Sequence, residues 1–164
     1  MYVLVSGLPG SGKSTLAPRL AAELGFPLFS KDVIKEALWD ALGPGDWAWS
    51  KRLGGAAAAA LMALVRSSPG AVVDHFVHTD QLTDWVHLPG IVEVRCACAP
   101  EVARARYARR VRHPCHFDDV QLDSYDAWIA EDAARAPVGP RLDVATAGAV
   151  DVASIVSWVR TVAR

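Results

Sequence analysis

Residues Gly7-Leu8-Pro9-Gly10-Ser11-Gly12-Lys13-Ser14 follow the pattern G-x-x-x-x-G-K-[ST]. Each residue type at that spacing has a use in holding phosphate. Glycines let backbone N–H groups turn inward around phosphate oxygens, a following helix presents the positive end of its dipole, and Lys13 adds a full charge. The Ser14 hydroxyl is a hard oxygen ligand suited to magnesium. The alternative is a glycine-rich turn joining a strand to a helix, which would have to supply both the motif and its flanks by chance. The loop therefore points to ATP with magnesium as its ligand.

Phosphate binding alone does not choose between a phosphotransferase, a switch and a motor, so other residues have to define the reaction. Ser30-Lys31-Asp32-Val33-Ile34-Lys35 follows a short apolar run, which sets Asp32 near the carboxyl edge of a parallel sheet, where ligands bind. A carboxylate there can accept an acceptor hydroxyl's proton and orient that hydroxyl in line with the γ-phosphate. The structural alternative is a helix cap from Ser30 or Asp32. Lys35, three residues on and on the same helical face, can hold an anionic part of the acceptor or be a solvated lysine. Val72-Val73-Asp74-His75 closes another apolar run on an acid, so Asp74 can hold a magnesium-bound water, contact the acceptor, or cap the next element.

Arg104, Arg106, Arg109, Arg110 and Arg112 crowd one segment. On a helix Arg106 and Arg110 share a face, so one can stack on adenine while the other stabilises the transferred phosphoryl group; a solvated basic helix is the alternative. Cys96 and Cys98, with His113-Pro114-Cys115-His116, have zinc-ligand types. The two cysteines lie two apart at a strand end and read as core thiols, and the proline-containing loop reads as part of a lid. Trp47 and Trp49, in a stretch flanked by glycine and proline, can line an acceptor pocket or pack into the core.

These residues need a scaffold that brings them to one edge. Short apolar runs at 2–6, 27–30, 71–74, 91–96 and 141–145 predict five strands. Longer patterns predict helices at 13–24, 32–42, 51–65, 101–112, 122–134 and 152–162, with a weaker one near 81–88. Strands alternating with helices predict an α/β fold with a parallel sheet flanked by helices. No repeat or long linker divides the chain, so one domain spans 1–164, with a lid around 104–120 and its most irregular part at 113–119.

Composition bounds the partner. The 164 residues are 52% hydrophobic and 21% charged, enough for a packed core, and the net charge of −1 shows no basic excess for gripping a long nucleic acid. A small-molecule acceptor fits better, with a short or terminal nucleic acid left open. Three cysteines argue against a disulfide framework and for a reducing compartment. Met1 leads directly into an apolar strand and the phosphate loop, unlike a signal peptide. The longest apolar run, 53–65, is bracketed by Arg52 and Arg66 and falls short of the ~20 residues of a membrane span. The expected location is the cytoplasm, with no membrane association, and nothing in the pattern bears on oligomeric state.

With Gly7 to Thr15, Ser30-Lys31-Asp32, Val73-Asp74, the Arg106 to Arg110 stretch and Arg112-His113-Pro114 in this order, the chain resembles the small P-loop kinases, a grouping that includes chloramphenicol phosphotransferase, zeta toxins and the kinase part of phage polynucleotide kinase. The resemblance implies a sheet ordered 2-3-1-4-5. It implies that Gly10, Ser11, Gly12, Lys13, Ser14 and Thr15 bind the nucleotide, that Ser14 ligates magnesium and that Arg106 lies by the adenine. It implies Asp32 as general base and Lys13 and Arg110 as stabilisers of the phosphoryl group. Lys35 stands where the polynucleotide kinase branch carries an arginine. The expected activity is ATP-dependent phosphorylation of a hydroxyl on a small metabolite or antibiotic. Its rivals are 5′-hydroxyl phosphorylation of a nucleoside or short nucleic acid, and a nucleotide-binding regulatory module without transfer.

Overall fold

Strand β1 (Tyr2–Ser6) is apolar at nearly every position because both of its faces are covered, as in a parallel sheet between two helical layers. Val3 and Val5 face a core completed by Leu16, Leu20, Ile155 and Val159, while Tyr2 and Leu4 face a second core containing Leu61, Val65 and Trp85. The computed structural model describes residues 1–162.

The remaining strands are β2 (Leu28–Ser30), β3 (Ala71–Asp74), β4 (Ile91–Ala97) and β5 (Arg141–Ala145). All pair in parallel, in the order β2-β3-β1-β4-β5. Helices α1 (Lys13–Leu24) and α8 (Val152–Val162) cover one face. Helices α2 (Lys31–Leu42), α3 (Trp47–Ser67) and α4 (Leu82–Val86) lie in the β2 to β4 half of the chain, and α5 (Pro100–Arg109), α6 (Asp118–Gln121) and α7 (Tyr125–Ala134) between β4 and β5. Among the described residues no helix is long and apolar enough to cross a membrane.

Four expected elements differ in ways that have physical causes. Helix α3 begins at Trp47 rather than near residue 51, because Asp46 caps it: its carboxylate accepts from Trp49 N–H at 2.8 Å. The arginine helix ends at Arg109 rather than near 112. Pro114 forces His113 to an extended conformation (φ −55°, ψ 137°), and the chain is already extended at Arg110 (φ −75°, ψ 143°). The helix expected at 122–134 is α7 preceded by α6 and a 3-10 turn at Leu122–Ser124, and that near 81–88 is a 3-10 turn plus α4. The irregular stretch at 113–119 contains a 3-10 turn, Pro114–His116, with Cys115 and His116 buried.

Beneath the sheet's ligand edge lies a buried ion pair that carries no sequence signature. Glu93 on β4 is fully buried and accepts from Arg135 and from Ser6 Oγ–H, and its Oε2 also accepts from Val138 N–H at 3.1 Å. The Arg135 side chain is only 1% exposed. Removing one partner of such a pair strands a charge in a low dielectric, whereas removing both does not. Arg135→Met is therefore expected to cost about 3–5 kcal/mol of stability, and Glu93→Gln combined with Arg135→Met distinctly less, both measured by chemical denaturation.

Candidate active site

The strand register assembles the site. Val5 pairs with Asp74, and Asp74 pairs with Ser30, so the carboxyl ends of β1, β3 and β2 lie side by side. The residues that follow, Gly7 to Ser14 and Lys31 to Lys35, must enter the same edge. Gly10 has φ +86°, and a Cβ there would meet the Ala103 carbonyl at 2.2 Å, so the loop closes against α5 only with glycine. The carbonyls of the loop are satisfied from several directions. Lys13 Nζ donates to Gly7 O (2.8 Å) and Leu8 O (2.9 Å), Tyr125 O–H donates to Pro9 O (2.6 Å), and Thr146 Oγ1–H donates to Ser11 O (2.6 Å).

A cleft of about 660 Å³ runs along this edge. On the β5 side of the loop it is lined by Arg106, Thr146, Gly148, Ala149 and Val150, and on the β3 and β2 side by Lys31, Asp32, Lys35, Asp74, His75 and Phe76. Seven cations line it, Lys13, Arg19, Lys31, Lys35, Arg106, Arg110 and Arg112, against two carboxylates, Asp32 and Asp74. That imbalance, in a chain of net charge −1, gives the cleft a positive field that favours anions.

Asp32 is not free. Arg112 Nη1 donates to its Oδ2 at 2.6 Å and grips Asp118 through Nε (3.0 Å) and Nη2 (3.1 Å). Asp118 also receives Arg110 through Nε (3.2 Å) and Nη2 (3.4 Å), and Tyr107 O–H at 2.7 Å. The Arg110 guanidinium stacks over the Tyr107 ring, 4.1 Å from its centre. Burial works against ionisation of Asp32, but Arg112, then His116 and Lys31, outweigh it and hold its carboxyl well below the usual carboxylate range. Burial likewise opposes ionisation of Asp118, and hydrogen bonds from Arg112 and Tyr107 overcome it.

The other titratable groups respond mainly to burial. Asp74 is raised by burial, with Lys13 and a hydrogen bond from Ser14 pulling the other way. Lys13 is lowered by burial and supported by Asp74. His75 is pushed down to about 3 by burial and by Lys31, so it is neutral, and its Nε2 lies 3.1 Å from Gln81 Oε1. The juxtaposed Ser14 hydroxyl and Asp74 carboxylate are hard oxygen donors of the kind magnesium takes alongside phosphate oxygens and water, so the residues present fit that ion.

The cleft brings together Gly10, Gly12, Lys13, Ser14, Thr15, Asp32, Lys35, Asp74, Arg106 and Arg110. Ser11 is buried beneath them. Arg106 spends its guanidinium on the Thr146 (3.2 Å) and Ala147 (3.4 Å) carbonyls, tying α5 to the loop after β5. The two arginines do not share a helical face, since Arg110 lies beyond the helix end. The tryptophans are half-buried and pack beside the small cluster at Trp39 rather than lining the acceptor side. Trp49 donates to Gly43 O at 3.1 Å and packs beside Trp39, Leu53 and Cys115, Trp47 sits edge-on to Phe117, and neither lines the cleft. Phe76, Tyr107 and Trp128 supply aromatic lining instead. Phe76, Trp128, Thr146 and Asp118 carry no motif; of these, only Thr146, directly after a strand end, had a positional signal.

A five-stranded parallel sheet in this order, with a glycine-rich phosphate loop after β1, is the fold of the small P-loop kinases. A family model described as an AAA domain matches residues 3–131, and the chain belongs to that family. Among similar solved structures is a candidate kinase from Chloroflexus aurantiacus J-10-fl, 30% identical with a TM-score of 0.82, covering 98% of this chain and 96% of its own. A shikimate kinase from Bacteroides thetaiotaomicron (16% identical, TM-score 0.63, coverage 98% and 97%) and a gluconokinase from Sinorhizobium meliloti 1021 (20%, 0.56, coverage 99% and 90%) share the fold. No curated protein matches the chain significantly.

The Arg112 contact gives a pH signature. Because the folded pKa of Asp32 is depressed, the stability it contributes is present above the ordinary carboxylate pKa of about 3.9 and is lost as pH falls through the lower folded value. In Arg112→Met the Asp32 carboxyl is expected to titrate at higher pH, and acid unfolding to begin earlier, followed by carboxyl-carbon NMR and by circular dichroism.

Proposed function

We propose that this protein is an ATP- and magnesium-dependent phosphotransferase that moves the γ-phosphate to a hydroxyl of a small molecule. One observation carries the proposal: the register that aligns Val5, Asp74 and Ser30 puts the phosphate loop, Asp32 and Asp74 on one cleft. A binding module needs the loop but not an ionised carboxylate across from it. The fold shared with a shikimate kinase and a gluconokinase, both named for small-molecule acceptors, supports the same reading.

In this scheme the loop residues Gly10, Ser11, Gly12, Lys13, Ser14 and Thr15 surround the β- and γ-phosphates, and Arg106 flanks the adenine. The N–H groups of Gly10, Gly12, Lys13 and Ser14 turn to the phosphates, while those of Ser11 and Thr15 donate to Leu8 O (3.0 Å) and Gly12 O (3.1 Å). Ser14, with Asp74 beside it, would hold magnesium, which would supply positive charge to offset that of the phosphates. Asp32 accepts the acceptor hydroxyl's hydrogen bond and aims its oxygen at the γ-phosphorus. Held ionised by Arg112, Asp32 is a weak base and takes the hydroxyl's proton late, as the acceptor oxygen bonds to the γ-phosphorus and the bond from that phosphorus to the ADP oxygen breaks. Lys13 and Arg110 stabilise the migrating group's charge, and Lys35 and Asp74 border the acceptor. The segment 104–120, which carries Arg106, Arg110 and Arg112, acts as a lid. The free thiols Cys96, Cys98 and Cys115 fit a cytoplasmic setting.

ADP release across a panel of hydroxylated acceptors tests the proposal. Lys13→Ala is expected to abolish transfer while the protein remains folded, and Asp32→Asn to lower turnover about 10²- to 10⁴-fold at saturating ATP and acceptor with little change in thermal stability. Turnover of Asp32→Asn within a few-fold of wild type would leave Asp32 a structural residue. Arg110→Ala should lower kcat more than ATP affinity, since it acts on charge that develops in the transition state. A fall in affinity alone would make it a ground-state contact.

A further inference from the structure

We propose that the acceptor of this phosphotransferase carries a compact anionic group, a carboxylate or a phosphate, and that Lys35 anchors it; the inference rests on the phosphotransferase reading. Lys35 is only 5% exposed, yet it lines the cleft that contains Asp32. Its ammonium has three donors, and one protein acceptor is found for it: Ser50 Oγ, at 2.8 Å. Ser50 spends its own proton on the Cys115 carbonyl at 2.6 Å, so its hydroxyl oxygen faces the ammonium only as an acceptor. This fixes Lys35 from behind and leaves donor capacity at the cleft.

Among the described residues no carboxylate lies within ion-pair distance of this ammonium. Asp32, one helical turn earlier, is held by Arg112 at 2.6 Å, and among the described residues Lys35 forms no ion pair. Lys31, also on the cleft, is likewise unpaired, and it adds to the burial that already lowers the Lys35 pKa. A buried ammonium held by one neutral hydroxyl is poorly compensated, and a lysine kept only for packing would be better replaced by methionine. Under-compensated charges of this kind, set in a cleft, mark ligand sites. ATP does not account for it. The phosphate loop serves that ligand, Asp32 is taken by Arg112 and Asp74 by Lys13 and Ser14, so among the described residues Lys31 and Lys35 keep no carboxylate of their own.

The geometry also constrains the acceptor's shape. Asp32 and Lys35 are separated by roughly one turn of α2, about 5–6 Å between Cβ atoms. The hydroxyl to be phosphorylated and the anionic group therefore lie within a few bonds of each other, as in a small hydroxy acid or a short-chain monophosphate.

The test uses the full chain saturated with magnesium and a non-hydrolysable ATP analogue, which keeps the phosphate loop filled. Acetate and methyl phosphate are titrated in separately by calorimetry, and the one that binds identifies the anion's chemistry. Lys35→Met is expected to weaken that binding by about tenfold or more with analogue affinity unchanged, and Ser50→Ala, which frees the ammonium, to weaken it less. If Lys35→Met does not fold, Ser50→Ala carries the test. Binding of neither anion to wild type, or equal binding by these variants, overturns the proposal. So does an uncharged amide that supports ADP release as well as its parent hydroxy acid. Lys35-dependent anion binding without ADP release from any acceptor would count against the phosphotransferase reading and leave the anion site standing.

Discussion

A phosphate loop turns most of its N–H groups to the ligand, here all but that of Ser11, which bonds Leu8 O, so several of its carbonyls have to be satisfied by side chains. Much of this fold is arranged around that demand. Tyr125 from α7 reaches Pro9, Thr146 from the end of β5 reaches Ser11, and Lys13 turns back on Gly7 and Leu8. Each bond ties a separate element to the loop, so elements distant in sequence share one reference point. Gly10 lets α5 approach as well, through the Ala103 carbonyl. The same contacts position Arg106, which links α5 back to the loop carrying Thr146.

The second organising feature is electrostatic. Asp118 gathers Arg110, Arg112 and Tyr107, and Arg112 in turn holds Asp32, which joins the two halves of the cleft through charge-assisted hydrogen bonds. The proposed acceptor-orienting carboxylate and the proposed phosphoryl-stabilising arginine are thus fixed through one shared anion. The extended backbone beyond Arg109, where the helix stops ahead of Pro114, carries Arg110 and Arg112 to the same Asp118. It also explains how a carboxylate in a crowded cleft stays ionised against its desolvation. The Glu93 and Arg135 pair plays a supporting part beneath the edge. It connects β4 to the end of α7 and reaches Ser6, the residue before the phosphate loop.

The fold and the outline of the site were legible in the sequence because their causes are local. The phosphate loop is a contiguous pattern, the five strands are apolar runs, and Asp74 closes one such run while Asp32 stands two residues beyond another. Resemblance supplied the strand order, which local pattern does not encode. What the tertiary structure decided are pairings across long separations. Arg112 meets Asp32 eighty residues away, Glu93 meets Arg135, and Lys35 meets a serine from α3 rather than solvent. Trp47 and Trp49 lie in a stretch whose glycines and proline suggest a loop, but Asp46 caps a helix there and neither tryptophan lines the cleft. A short pattern reports how a segment folds because backbone geometry and side-chain alternation act over a few residues. Which charge neutralises which is set by the folded contacts, and those exist only once the sheet has brought its edges together.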